Sequence, residues 1–309
     1  MKKYIKILFC GLLLLSVYSC SKKDEFTESI FVDEPELNSG SKTYQFDMWL
    51  KTNYLEPYNL EFRYKLPDVY TDINYNLVPA SLDKSMIVAI LTKYLWFDVY
   101  SKVVSEDFLK DYGPRIIKLI GSPAYNPSLG TMILGTAEGG IEVTLYRCNE
   151  ASSDNIDFMN EYYFKTMHHE FSHILQQQKT QPKEFETLSA GQYDPTGWQN
   201  RTAEQSAILG YVSPYAGSEP REDFVEVIAV YIVKSDAQWQ TILTMAAASQ
   251  GPLPMRGDAI IKAKLEIVRK WLKDAWGIDL DALHKEVQDR QNYVNDALQE
   301  GLTEINAIK

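Results

Sequence analysis

The chain of 309 residues is 45% hydrophobic and 24% charged, a balance that excludes a disordered or fibrous protein and is enough to bury a full core. Its net charge of −11 opposes binding to nucleic acid through phosphate contacts. Beyond the N-terminus no stretch reaches the roughly 18 uninterrupted apolar residues needed to span a bilayer.

At the N-terminus, Lys2, Lys3 and Lys6 precede an apolar run from Ile7 to Leu15 that only Gly11 interrupts, and Val17-Tyr18-Ser19-Cys20 follows. Residues 1–19 are therefore expected to be a cleaved secretory signal. The segment ending at Cys20 resembles a bacterial lipobox, which implies that Cys20 is lipidated and becomes the new N-terminus. Ser21-Lys22-Lys23-Asp24-Glu25 resembles the charged tag that sends lipoproteins of the Bacteroidota to the outer face of the outer membrane, which implies an outer-membrane lipoprotein exposed at the cell surface. Residues 20–42, polar and carrying Pro35 and Gly40, are expected to form a flexible tether. The signal carries three lysines and no acid, so its removal leaves a body more acidic still. Membrane attachment is thus expected through lipid alone. With Cys10 removed and Cys20 acylated, only Cys148 remains; no intramolecular disulfide is possible, and Cys148 reads as a small buried residue.

Helical spacing of Ile87, Ile90, Leu91, Tyr94 and Leu95 predicts a long amphipathic helix from Ser81 to about Val103. A shorter one from Glu106 to Tyr112 is stopped by Gly113-Pro114. Arg115 to Ile120, Thr131 to Leu134 and Ile141 to Arg147 read as strands between turns. In the last, Ile141, Val143 and Leu145 alternate with Glu142 and Thr144, which predicts a sheet with one solvated face; its edge is a candidate to bind an extended peptide. A helix from about Ile156 to Gln178 comes next, with Phe164, Phe171 and Leu175 on one apolar stripe. Residues 179–219 are rich in turn formers, with a short helix from Thr202 to Leu209. A further helix starts at Pro220, in the favoured first-turn position. Two more are expected at Asp258 to Trp276, ended by Gly277, and at Leu280 to Leu298. Ile261, Leu265, Val268 and Leu272 mark the buried face of the first of these. The whole predicts an α+β domain over residues 43–309, with a small mixed sheet and the central helix in 43–178 and a helical part in 179–309.

The run Met167-His168-His169-Glu170-Phe171-Ser172-His173 contains HExxH. On a helix, His169 and His173 share one face and can offer two imidazoles to one zinc ion. Glu170 lies about 100° round the helix, where its carboxylate can act as general base on a water at the metal. His168 falls on the apolar side and is expected to be a hydrogen-bonded core histidine.

A catalytic zinc needs a third protein ligand and one position left for water. The metzincin extension is excluded, because it requires glycine at position 176 and histidine at 179, where the chain has Gln176 and Lys179. His284, the one remaining histidine, lies in a helix remote in sequence. A carboxylate from Asp194, Glu204, Glu222 or Glu226 is left. Asp194 sits in a Tyr-Asp-Pro-Thr-Gly turn, where aspartate usually caps the backbone, and Glu204 reads as a solvated helix residue. Glu222 and Glu226 are four apart on one helix, opposite Phe224, Ile228 and Tyr231. The apolar side can hold that helix while both carboxylates face a second one. One of them could bind zinc and the other accept the free ring N–H of a ligand histidine.

The stretch Gly210-Tyr211-Val212-Ser213-Pro214-Tyr215-Ala216-Gly217-Ser218-Glu219-Pro220-Arg221-Glu222-Asp223-Phe224-Val225-Glu226, with the HHEFSH run, resembles the substrate import-associated zinc metallohydrolase lipoproteins of the Bacteroidota. HExxH, a later ExxxE and a tyrosine seven residues before the first of those glutamates are also similar to the catalytic domain of anthrax lethal factor. The resemblance implies a zincin-like, gluzincin-type peptidase with Zn2+ as cofactor: Glu222 as third ligand, Glu226 as support for a ligand histidine, and the Tyr215 hydroxyl at the oxyanion. It further implies a peptide or glycopeptide substrate and association with a TonB-dependent import complex. Two alternatives stand beside it: a metal-binding accessory lipoprotein without catalysis, in which Glu170 would have no task, and a zinc hydrolase of a non-peptide amide.

Overall fold

A computed structural model describes residues 37–66, 77–125 and 141–309, with the backbone of 132–133 and 135–138. The expected signal, Cys20 and most of the tether lie outside the described residues.

Three very short strands, β1 (Glu61–Arg63), β2 (Ile116–Leu119) and β6 (Glu142–Leu145), run parallel, and β5 (Gly135–Glu138) closes the sheet antiparallel to β6. Ile117 pairs with Phe62 on one side and Val143 on the other. A separate pair joins β3 (Ala124–Tyr125) to β4 (Met132–Ile133), the second predicted strand; Thr131 and Leu134 lie outside the described residues. Two expectations for Ile141 to Arg147 are corrected. Thr144 is buried, because strands in parallel pairing are covered on both faces, and Ile141 is exposed because it lies in the turn before β6. Nor is β6 an edge: β2 and β5 flank it, and the antiparallel edge belongs to β5. β1 escapes the sequence pattern because it is three residues long, and β5, Gly-Thr-Ala-Glu, because it holds no large apolar residue.

The helices carry the bulk of the unit Ser39–Lys309. The first helix among the described residues, α1 (Tyr44–Leu50), passes through a π turn, Lys51–Leu55, into Glu56–Tyr58. The predicted helix near Ser81 to Val103 is α2, comprising Leu82–Thr92, a π turn at Lys93–Phe97 and Asp98–Val103. Phe108–Tyr112 forms α3. The central helix, α4, comprises Ile156–Met159, a π turn at Asn160–Phe164 and Lys165–Gln178, and the Asn155 side chain caps its start at the Phe158 N–H. Lys183–Thr187 (α5) and Ala203–Ile208 (α6) follow; Thr202 and Gln205 close a capping box on α6. Then come α7 (Pro220–Val233), α8 (Asp236–Ala246), α9 (Gly257–Trp276), α10 (Leu280–Gln291) and α11 (Val294–Ala307). The single helix expected from Leu280 to Leu298 is thus two, parted at Asn292-Tyr293. Helix α8 was readable in its Ser235/Gln238 capping box, a signal the apolar period obscured.

The core is built around α4. Phe171 lies edge-on to Trp96 and Tyr100 of α2, with ring centroids 5.8 and 5.3 Å apart. Helix α7 is buried on every side from Asp223 to Val233, Asp223 and Glu226 included, and packs along α4. Its register is also held by a charge pair: Lys264 of α9, fully buried, donates to Asp223 at 2.6 Å and to the Gly210 carbonyl at 2.8 Å. Tyr193 donates to the same carboxylate at 2.8 Å. A charge buried this deeply persists only when paired, so the pair ties the segment before α7 to its first turn.

His168 lies in the core as expected, 1% exposed, between the Trp96 and Tyr100 rings. Burial pushes its imidazole down to about 3, while an unfolded histidine titrates near about 6.5. The unfolded chain then binds a proton that the native one refuses, so this contribution to stability is present above about pH 6.5 and lost as pH falls towards 3. His168→Phe is expected to flatten the fall of stability across that interval by about one proton. Denaturant midpoints of both proteins against pH measure it, and parallel curves would contradict it.

Candidate metal centre

The side of α4 turned from the core carries His169 and His173, with ring centroids 4.8 Å apart. The first turn of α7 faces them. Glu222 Oε2 lies 3.0 Å from His169 Nε2 and 3.2 Å from His173 Nε2. One atom from each of the three residues falls within 4.8 Å of the others, and among the described residues no other set of His, Cys, Asp and Glu comes together in this way. A tetrahedral zinc with bonds of about 2.0–2.2 Å separates its ligand atoms by about 3.3–3.5 Å, so the two contacts to Glu222 would each open by a few tenths of an ångström around it. Two imidazoles and one carboxylate, with a fourth position open, are also the donor set of a catalytic zinc.

Glu226, one turn further along α7, accepts the His169 Nδ1–H at 2.9 Å. Its other oxygen accepts from Ser213 Oγ at 2.5 Å, and Ser213 Oγ in turn accepts the Ala216 N–H at 3.1 Å. The turn that bears Tyr215 is thereby fastened to the support of His169. Burial opposes ionisation of Glu226, but buried Lys165, His169 and Ser213 together hold it down at about 2. Burial likewise opposes charge on Glu222, and the two histidines outweigh it, holding that carboxyl well below the usual range. His169 is pushed up to about 10 against burial by its bonds to Glu222 and Glu226. Both carboxylates are therefore ionised and ready to face a cation.

Glu170 is half-buried beside this cluster; burial raises its carboxyl above the ordinary value, and His169 and His173 oppose that rise. Such a carboxylate is a better proton acceptor than a solvated one. The Tyr215 ring sits 5.8 Å from that of His169 and is braced edge-on by Trp198 at 5.0 Å. Tyr215 is 38% exposed, yet loss of hydration at its hydroxyl, and then the neighbouring Glu222, push its phenol above its usual range, so it remains a hydrogen-bond donor.

The structure thus brings His169, His173, Glu222, Glu226, Glu170 and Tyr215 to one place. It leaves the other candidates out. Asp194 caps its own turn, accepting the Gly197 N–H at 2.9 Å, and Glu204 is exposed in the first turn of α6. His284 Nδ1 donates to the Tyr231 carbonyl at 2.7 Å and its Nε2 lies 3.1 Å from Asp236 Oδ1, away from the cluster. Two polar residues of the site were not anticipated. Ser213 lies in a loop whose path has no periodic signature. Gln176 lies three residues after His173, within reach on the same helix, and its Oε1 is 3.2 Å from His173 Nδ1.

Residues 40–281 match the model of a family described as putative zinc-binding metallo-peptidase. A solved structure described as a putative zinc-binding metallo-peptidase from Bacteroides caccae is 40% identical, over 87% of this chain and 97% of its own, with a TM-score of 0.70. No curated protein matches the chain.

Proposed function

The chain belongs to this zinc-binding metallo-peptidase family, and from that premise we propose that it is a gluzincin-type peptidase whose zinc is held by His169, His173 and Glu222. The observation that carries the reading is the convergence of both imidazole Nε2 atoms on one Glu222 oxygen, at 3.0 and 3.2 Å. When bound there, zinc supplies a Lewis acid that polarises the scissile carbonyl and makes a nearby water acidic. Glu170 takes the proton from the attacking water and returns it to the leaving amine. Tyr215 donates its hydroxyl to the oxygen on which charge develops. Glu226, fixed by Ser213, keeps His169 in the tautomer that presents Nε2. The backbone of an extended substrate pairs with the side of β5 that no described strand occupies, and β5 packs against α4. Zinc content of the purified protein, measured with cleavage of a diverse peptide library, tests the reading; a metal-free, inert protein would overturn it.

We further propose that the enzyme is an outer-membrane lipoprotein that trims peptides or glycopeptides for a TonB-dependent importer. The lipobox-like segment ending at Cys20 supports this. Cys20→Ser is expected to move the protein from the membrane to the soluble fraction on cell fractionation, and continued membrane association would contradict it.

A further inference from the structure

We propose that Gln176 is the positioning residue of His173, a neutral amide acceptor that fixes the ring with Nε2 towards Glu222 and locks the end of α4 to the first turn of α7. The inference rests on the zinc-peptidase reading above. Gln176 is 4% exposed, and its two amide atoms are committed to opposite tasks. Oε1 lies 3.2 Å from His173 Nδ1 and accepts from Arg221 Nε at 3.4 Å. Nε2 donates to Gln181 Oε1 and, at 3.5 Å, to the Arg221 carbonyl. Reversing the amide would set its N–H group against the Arg221 Nε–H and its oxygen against Gln181 Oε1 and the Arg221 carbonyl, so the acceptor faces the imidazole. Gln181, itself buried, continues the chain to Glu186 Oε1 at 3.1 Å and to the Pro220 carbonyl at 3.4 Å. Pro220 and Arg221 directly precede Glu222. The side chain that aims His173 is thus bonded to the backbone that carries the third ligand.

The two histidines are aimed by different chemistry. His169 has a carboxylate behind it, and His173 has an amide. With Glu170, Glu222 and Glu226 already facing the site, a fourth carboxylate would add charge to a half-buried centre, whereas an amide supplies the acceptor without it. Because both Nδ1 atoms are occupied, only the Nε2 atoms remain to meet a metal.

Two full-chain variants test this, read out by zinc affinity in competition with a chelator and by the His173 Nδ1–H resonance of the zinc-loaded protein. Gln176→Leu is expected to weaken zinc by about 10–100-fold, as loss of a hydrogen-bonding support does. The same variant should lose the slowly exchanging Nδ1–H signal. Gln176→Glu keeps an acceptor for Nδ1 but sets a carboxylate oxygen against Gln181 Oε1 and the Arg221 carbonyl. It should therefore retain the signal and hold zinc more tightly than Gln176→Leu, though less tightly than the wild type. A merely structural Gln176 would leave the affinity of folded Gln176→Leu and the resonance unmoved, and that result would overturn the proposal. If Gln176→Leu does not fold, the Nδ1–H signal of zinc-loaded Gln176→Glu decides: its loss refutes the role, and its retention sustains it. Wild-type protein that takes up no zinc would instead refute the peptidase reading itself.

Discussion

Glu170→Gln is expected to leave zinc bound and to lower kcat by about 10²–10⁴-fold, the range lost when a general base is removed. Glutamine has the size of glutamate, but it cannot accept a proton at neutral pH. Glu170 is not among the three residues whose atoms converge, so metal affinity should not follow its charge. KM should change little, because the interaction lost belongs to the transition state rather than to substrate binding. Zinc content and steady-state kinetics on one peptide give both halves of the result. This variant also separates the enzyme from an accessory metal binder. In a pure binder the substitution would change nothing that can be measured at the site, whereas unchanged turnover by a demonstrably active protein would remove Glu170 from the mechanism.

Glu222→Ala should act at the preceding stage and strip the metal. The side chain meets both imidazoles, and no other carboxylate among the described residues stands ready to replace it: Glu226 is held between His169 and Ser213, and Asp194 is held in its turn. Zinc affinity is expected to fall by more than about 100-fold, beyond the range typical of residues that only support a ligand. Hydrolysis should fall with it. Asp194→Ala and Glu204→Ala are expected to bind zinc as the wild type does, and a greater loss in either than in Glu222→Ala would overturn the ligand assignment.

The parts of the molecule legible in the sequence are those with a period. The helix of Ile156 to Gln178 announced its buried stripe, and the same wheel sent His168 to the core and left His169 and His173 free. Four-residue spacing drew Glu222 and Glu226 onto one face, and both carboxylates meet His169 from there. What was hidden depends on partners distant in the chain. Thr144 is buried because β6 pairs with β2, some two dozen residues earlier, which no pattern within β6 announces. Ser213 reaches Glu226 through a non-repeating loop. Gln176 was passed over because a primary amide is not a metal ligand, and its task appears only once Arg221 and Gln181 are seen around it.

The central claim is that one zinc ion is held by two imidazoles and one carboxylate from α4 and α7. X-ray absorption at the zinc edge, recorded on the zinc-loaded wild type and on Glu222→Gln, addresses it most directly. The wild type should show two nitrogen scatterers with the multiple-scattering signature of imidazole and one or two oxygens, all at about 2.0–2.2 Å, with sulfur absent. Glu222→Gln should lose zinc or change the oxygen shell while leaving the imidazole count at two. A site with one imidazole, or an unchanged shell in Glu222→Gln, would contradict the assignment of His169, His173 and Glu222.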